Sequence, residues 1–169
     1  MRSNRLFSLS LAGAIALSGA MPTLTFAQQS SPPTVYASGL EGPRGLRFGP
    51  NGDLYVAEAG TGGKQSTAGI CTQVPGPPGG PGPWTGGLTA RISKISRNGT
   101  RTTVASGFPS TTGLGGTIGV ADVAFLNDTL YALIGGGGCS HGNPNNPSGI
   151  AEVNQSTGKW NMIADIGAW

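Results

Sequence analysis

The chain has 169 residues, with 10 Lys and Arg against 7 Asp and Glu, a formal net charge of +3, and 31 glycines. No cluster of Lys and Arg supplies the electrostatic footprint that nucleic-acid binding requires, so nucleic acid is excluded as a partner. Charged residues are few but β-branched clusters recur between glycines, a composition that favours short strands joined by tight turns over disorder.

The chain opens with Arg2 and Arg5 and no acid, followed by the apolar stretch LFSLSLAGAIALSGA from Leu6 to Ala20. These are the charged and apolar parts of a secretory signal peptide. The run is shorter than the ~20 predominantly apolar residues of a spanning helix and stops at Met21-Pro22, so no stable membrane anchor is expected. Thr25 and Ala27 bracket Phe26 in a small-x-small cleavage pattern, which predicts a leader over 1–27 and a mature protein that begins at Gln28. No cysteine lies near the site, which argues against a lipoprotein. Cleavage removes two basic residues and leaves eight against seven acids, a net charge of +1 over 142 residues, about the size of one domain. An exported location, periplasmic or extracellular, follows.

Beyond the leader two stretches share a pattern. Ala37-Ser38-Gly39-Leu40 matches Ala105-Ser106-Gly107-Phe108, Phe48 matches Phe125, and Leu54-Tyr55-Val56 matches Leu130-Tyr131-Ala132 across turns at Asn51-Gly52-Asp53 and Asn127-Asp128-Thr129. Asn-Gly between apolar runs is a hairpin signal. The tails repeat as well, ARISKISRNGTRTTVASG from Ala90 aligning with GIAEVNQSTGKWNMIADI from Gly149 if one residue is inserted in the second turn. Strands are predicted at 45–48, 53–58, 90–96 and 100–105, and again at 120–126, 129–134, 149–154 and 160–165. Four antiparallel strands per repeat make one propeller blade. Blade one therefore spans 45–105, with a Gly/Pro-rich insertion at 60–88 that is either a functional lid or a disordered insertion, and blade two spans 120–165. Thr34–Ser38 matches the end of a unit and takes the place of the outer strand that closes a ring. Phe48, Leu54, Val56, Ile92, Phe125, Leu130 and Ile150 are expected to pack between the blades. The fold class is all-β.

The stretches GPRGLRFGPNGDLYVAEAG, TARISKISRNGTRTTVASG, GVADVAFLNDTLYAL and GGGGCSHG resemble the ScyD/ScyE family, secreted NHL-like β-propeller proteins associated with scytonemin biosynthesis. The likeness runs over nearly the whole mature chain. Its last two stretches are specific, whereas the first is shared in style with NHL-type and glucose-dehydrogenase-type propellers. The resemblance implies a six-bladed propeller with no established activity, of which this chain is an amino-terminal fragment, a partial propeller domain over 28–169 covering about two blades and the closing strand.

Blade topology places the loop into the innermost strand and the loop between the second and third strands on one face. Arg44, Glu58, Asp122 and His141 fall there and are the ligand-binding candidates, each with a surface charge or a turn contact as the alternative. Cys71 and Cys139 occupy equivalent loops of neighbouring blades, and in an exported chain either form one disulfide or remain two free thiols. His141 is the only histidine. There is no HExxH, CxxC or DxDxDG, so no metal set is identified. Ser140 beside His141 lacks an orienting acid and makes no triad. Asn98, Asn127 and Asn154 fit a glycosylation pattern that turn chemistry already explains. No cofactor is indicated. The first functional reading is a binding or scaffold protein for an unknown small molecule or protein partner; the second is a propeller hydrolase, lyase or sugar dehydrogenase with a metal or acid-base site at the channel mouth; the third is a degenerate gene product.

Overall fold

A computed structural model describes residues 32–73 and 82–167. The leader over 1–27, the mature start at Gln28 and the middle of the Pro/Gly insertion lie outside the described residues. Ten strands form two antiparallel sheets, and among the described residues the one helical element is a short 3-10 turn at Cys139–His141. No helix among them is long and apolar enough to cross a membrane.

The first sheet contains β1 (Pro43–Phe48), β2 (Leu54–Glu58), β3 (Gln65–Ser66), β4 (Thr85–Ile95), β5 (Arg101–Gly113) and β6 (Gly116–Ile118), in the order β1-β2-β4-β5-β6 with β3 also on β4. The second contains β7 (Val120–Leu126), β8 (Thr129–Ile134), β9 (Gly149–Val153) and β10 (Trp160–Asp165), in the order β10-β9-β8-β7. The alternating burial of β9, with Gly149, Ala151 and Val153 buried and Ile150 and Glu152 exposed, is that of a strand covered on one side. On β2, Tyr55 to Glu58 are all buried, because both faces of that strand are covered.

The two sheets repeat one another in register. Phe48 pairs with Leu54 as Phe125 pairs with Leu130, and Pro43 with Glu58 as Val120 with Ile134. A bulge interrupts the first strand of each unit, between Pro43 and Leu46 and between Val120 and Asp122. A second bulge interrupts the last pair of each, at Ile92/Ser93 against β5 and at Met162/Ala164 against β9. The turn from β9 to β10, 154–159, is one residue longer than that from β4 to β5, 96–100, as the alignment requires. The tight turn between β7 and β8 carries Asn127 and Asp128 at φ 48° and 64°, the left-handed pair that a two-residue hairpin needs.

The segment before β1 extends the equivalence. A Cβ on Gly99 would stand 2.9 Å from the Tyr36 carbonyl oxygen, and one on Gly158 the same 2.9 Å from that of Val104. Residues 36–40 thus approach the first sheet as 104–108 approach the second. The closing strand expected at Thr34–Ser38 is not a strand among the described residues; its expected partner was the last blade, and no such sheet is among them.

The core lies between the sheets. Tyr55, Ala57, Ile92 and Phe108 from the first meet Val123, Leu130, Ile134 and Val153 from the second. The Tyr55 and Phe125 rings meet edge-on with centroids 4.9 Å apart, and Phe108 stacks on Trp160 at 4.6 Å. This corrects the predicted core. Ile92 and Leu130 are buried in it and Phe125 packs against it, but Phe48 is 66% and Ile150 37% exposed, Leu54 is half-buried, and Val56, though buried, lies outside the cluster. The reason is geometric. Phe48 and Phe125 are counterparts, as are Leu54 and Leu130, Val56 and Ala132, and Ile92 and Ile150. Counterparts occupy the same face of their own sheet, and a face that points toward the neighbour in one unit points away from it in the other.

Candidate functional site

The Gly-rich loops that follow β2 and β8 meet above the ends of the sheets. Cys71 and Cys139 are joined there, with Cα atoms 6.2 Å apart. The Thr67 hydroxyl donates to the Cys139 carbonyl, and the buried Asn143 amide donates to Ser110 O at 3.0 Å and Gly136 O at 2.7 Å. The Ser110 hydroxyl in turn donates to Ala59 O at 2.5 Å and accepts from Gly62 N at 2.8 Å. A Cβ on Gly142 would lie 2.4 Å from Gln65 O, so glycine is what lets the two backbones come together. Each tie replaces water on a buried polar group, which is how loops without apolar side chains hold a shape.

A cleft of about 580 Å³ opens at this junction, lined by the disulfide, Thr72, Ser140, His141, Ser148 and Asp165 among others. The His141 ring is tilted over buried Trp84 with centroids 5.6 Å apart, and its Nδ1 lies 3.2 Å from the Ser140 hydroxyl. Burial holds the imidazole below its ordinary pKa, only partly offset by a backbone hydrogen bond involving Gly137. The shift favours the uncharged ring. Among the described residues no carboxylate hydrogen-bonds the ring and no group of three His, Cys, Asp or Glu could hold a metal ion. An imidazole, two serine hydroxyls and one rim carboxylate suit hydrogen-bonded capture of a small polar molecule.

The other candidates lie elsewhere. The Arg44 guanidinium donates to Thr117 O, tying β1 to β6. Asp122 borders a separate apolar hollow of about 330 Å³ on the outer face of the second sheet, and its Oδ1 accepts from Val123 N at 2.8 Å. Glu58 has no exposed surface at all. Its carboxylate accepts from Arg91 at 2.9 Å, from the Ser93 hydroxyl and from Glu41 N at 2.5 Å, with Arg101 3.6 Å away. Burial alone would raise its pKa, but these donors outweigh it and leave the carboxyl below its usual range. Of the four ligand-binding candidates, only His141 lines the disulfide-tied cleft. No family model, curated protein or solved structure matches the chain. The cleft's chemistry thus rests on its own residues, including three that sequence reasoning left out. Asn143 sits in a loop without periodicity, Ser148 precedes β9, and Asp165 ends β10; each is brought to the cleft or its walls by loop packing that no local pattern encodes.

Proposed function

We propose that this chain is an exported β-propeller protein of the ScyD/ScyE type that binds a small polar molecule or a partner through the cleft at Cys71–Cys139 and His141. The register equivalence of the two sheets, with matching bulges in the first strand and in the last strand pair, supports a propeller built of four-stranded blades, and the resemblance supplies the family. The leader pattern over 1–27 supports export, and the disulfide is consistent with an oxidising compartment. The observation that carries the binding reading is His141 set beside Ser140 and Trp84 in the cleft, with no carboxylate hydrogen-bonded to its ring among the described residues. Such a pair donates and accepts hydrogen bonds but lacks the third group that would make the serine a nucleophile.

Trp84 is a reporter for the cleft. Titration of the purified protein with hydroxylated aromatics and short saccharides should change its emission and perturb the His141 ring resonance, and His141→Ala should abolish the change in emission. A panel without effect, or an unchanged response in His141→Ala, refutes the binding reading at this site. The enzymatic alternative has the 3.2 Å Ser140–His141 contact on its side. Turnover of a lactone or ester that is lost in both Ser140→Ala and His141→Ala would replace binding by hydrolysis.

A further inference from the structure

We infer that the Cys71–Cys139 disulfide is a switch that assembles the cleft, so that the ligand site exists in the oxidised chain and is opened by a dithiol. The cleft's role rests on the binding reading above, whereas the movement rests on loop contacts alone. The device lies between two consecutive units and does not depend on what packs against their other faces.

The cleft has one fixed wall and one tethered wall. The fixed wall is the turn 138–143. Gly138 and Asn143 form an antiparallel bridge, in which Asn143 N donates to Gly138 O at 3.0 Å, and Gly138 N donates to Asn146 O at 2.8 Å. The buried Asn143 side chain holds Ser110 O and Gly136 O. The 3-10 turn Cys139–His141, which carries Ser140 as well, is thus closed by hydrogen bonds of its own loop.

The tethered wall is the lobe 67–73, which brings Cys71 and Thr72 to the cleft. Its internal bonds are short-range. Ile70 N and Cys71 N donate to Thr67 O at 3.0 and 3.1 Å, and the Gln73 amide donates to Thr67 Oγ1 and Cys71 O, each at 3.3 Å. Among the described residues two bonds join this lobe to the loops of the second sheet, the disulfide and the Thr67 hydroxyl bond to the Cys139 carbonyl. Both end on Cys139. Residues 68–70 are exposed, Ile70 by 78%, so little apolar packing stands behind those two bonds.

Thiol–disulfide exchange supplies the chemistry. A dithiol gives up two hydrogens and leaves as its own disulfide, and Cys71 and Cys139 become thiols. The lobe then keeps one hydrogen bond to the second unit, too little to offset the entropy of ordering seven residues. It swings off Trp84, which is 3% exposed, with the His141 ring 5.6 Å away and its own backbone N–H donating to Gln73 Oε1 at 3.4 Å. Opening of one lobe against intact sheets is a local transition.

The test titrates the full chain with mixtures of reduced and oxidised dithiothreitol. Reduction should speed hydrogen exchange of the Trp84 indole N–H by roughly tenfold or more, while the circular dichroism of the sheets and the His141 ring resonance stay in place. Thr67→Val removes the second bond and should reach half-reduction at a roughly fivefold lower ratio of reduced to oxidised dithiothreitol. Resorcinol, followed by calorimetry, should bind the reduced protein roughly tenfold more weakly, and at saturation should raise that ratio by the same factor, because coupling is reciprocal. If resorcinol binds neither form, it counts against the binding reading, and the Trp84 exchange still decides the switch. Unchanged Trp84 exchange after reduction, loss of the sheet spectrum on reduction, equal resorcinol affinity of the two forms, or an unshifted midpoint in Thr67→Val would each overturn the inference.

Discussion

The first and second sheets use the same four register positions for opposite purposes. Where the first has Glu58, Arg91, Ser93 and Arg101, the second has Ile134, Gly149, Ala151 and Trp160. In the second sheet the face is sealed by the first, and Ile134 and Ala151 are wholly buried in an apolar core with Trp160 packed against it. In the first sheet the same face is capped by the segment 36–42, whose Glu41 N–H donates to the Glu58 carboxylate and whose Gly39 carbonyl lies 3.4 Å from Arg91. A strand of chain cannot bury as much apolar surface as a sheet, but it brings backbone donors and acceptors. Covered by such a segment, a face tolerates a buried carboxylate if donors reach it, and Arg91, the Ser93 hydroxyl and the Glu41 amide donate to Glu58 while Arg101 adds a positive charge 3.6 Å away. One backbone template therefore holds either an ion-pair network or a hydrophobic core, according to what lies over it.

The strongest way to break this arrangement is to remove the tie between the two units. Replacing both Cys71 and Cys139 by serine frees a loop closed over 68 positions and should cost about 4 kcal/mol in the chain-entropy account, read as a lower urea midpoint. If the midpoint is unchanged, the polar ties at Asn143 and Ser110 hold the loops together without the bridge.

Next in size is Glu58→Ala, which strands Arg91, Arg101 and the Glu41 amide and should destabilise by about 3 kcal/mol. The triple change Glu58→Ile, Ser93→Ala, Arg101→Trp installs three of the four residues found in the second sheet, leaving Arg91 with Glu41 3.5 Å away, and should lose less than half as much, since fewer charged partners are stranded. A triple variant as unstable as Glu58→Ala would mean that the segment 36–42 cannot cover an apolar face.

Acidification tests the same network with no mutation. Folding holds the Glu58 carboxyl below its usual range, so the unfolded chain takes up the proton first. Stability from this group is complete above about pH 4.3 and declines as pH falls through and below that value. The decline should be shallower in Glu58→Ala, and equal slopes in the two proteins would assign the acid sensitivity to other carboxylates. The smallest effect concerns the turns. The β1–β2 turn has Gly52 at φ 79°, whereas the β7–β8 turn places Asp128 at φ 64°. Asp128→Gly should therefore gain roughly 0.5 kcal/mol, the left-handed penalty less the added freedom of the unfolded chain, and a loss would show that the Asp128 side chain supports its turn.

Much of the fold was legible from pattern. The strands at 120–126, 129–134 and 160–165 stand where alternation puts them, because each is covered on one side and bounded by turn residues. β4 begins at Thr85 instead of 90, and β5 runs on to Gly113 instead of stopping at 105. Those extensions pass through Gly86-Gly87 and Ser110 to Gly113, which have no alternation, and they pair because the loops of the second sheet press onto them, Gly142 against Gly86 above all. At the cleft, His141 and the two cysteines were visible as rare residues in equivalent loops, whereas Arg44, Glu58 and Asp122 are charges that the topology spreads over different surroundings.

By itself the sequence determined the β class, the repeat and its register, and the pairing of Cys71 with Cys139 as a possibility, because these depend on a period of two, on turn residues and on spacing. It could not determine which copy of a repeated residue is buried. Phe48 and Phe125, or Ile92 and Ile150, present the same local pattern, and local pattern is all that periodicity carries. Burial is a property of what lies across the sheet, and only the packing of the second sheet onto one face of the first, with the segment 36–42 on the other, made Phe125 and Ile92 part of the core and left Phe48 and Ile150 at the surface.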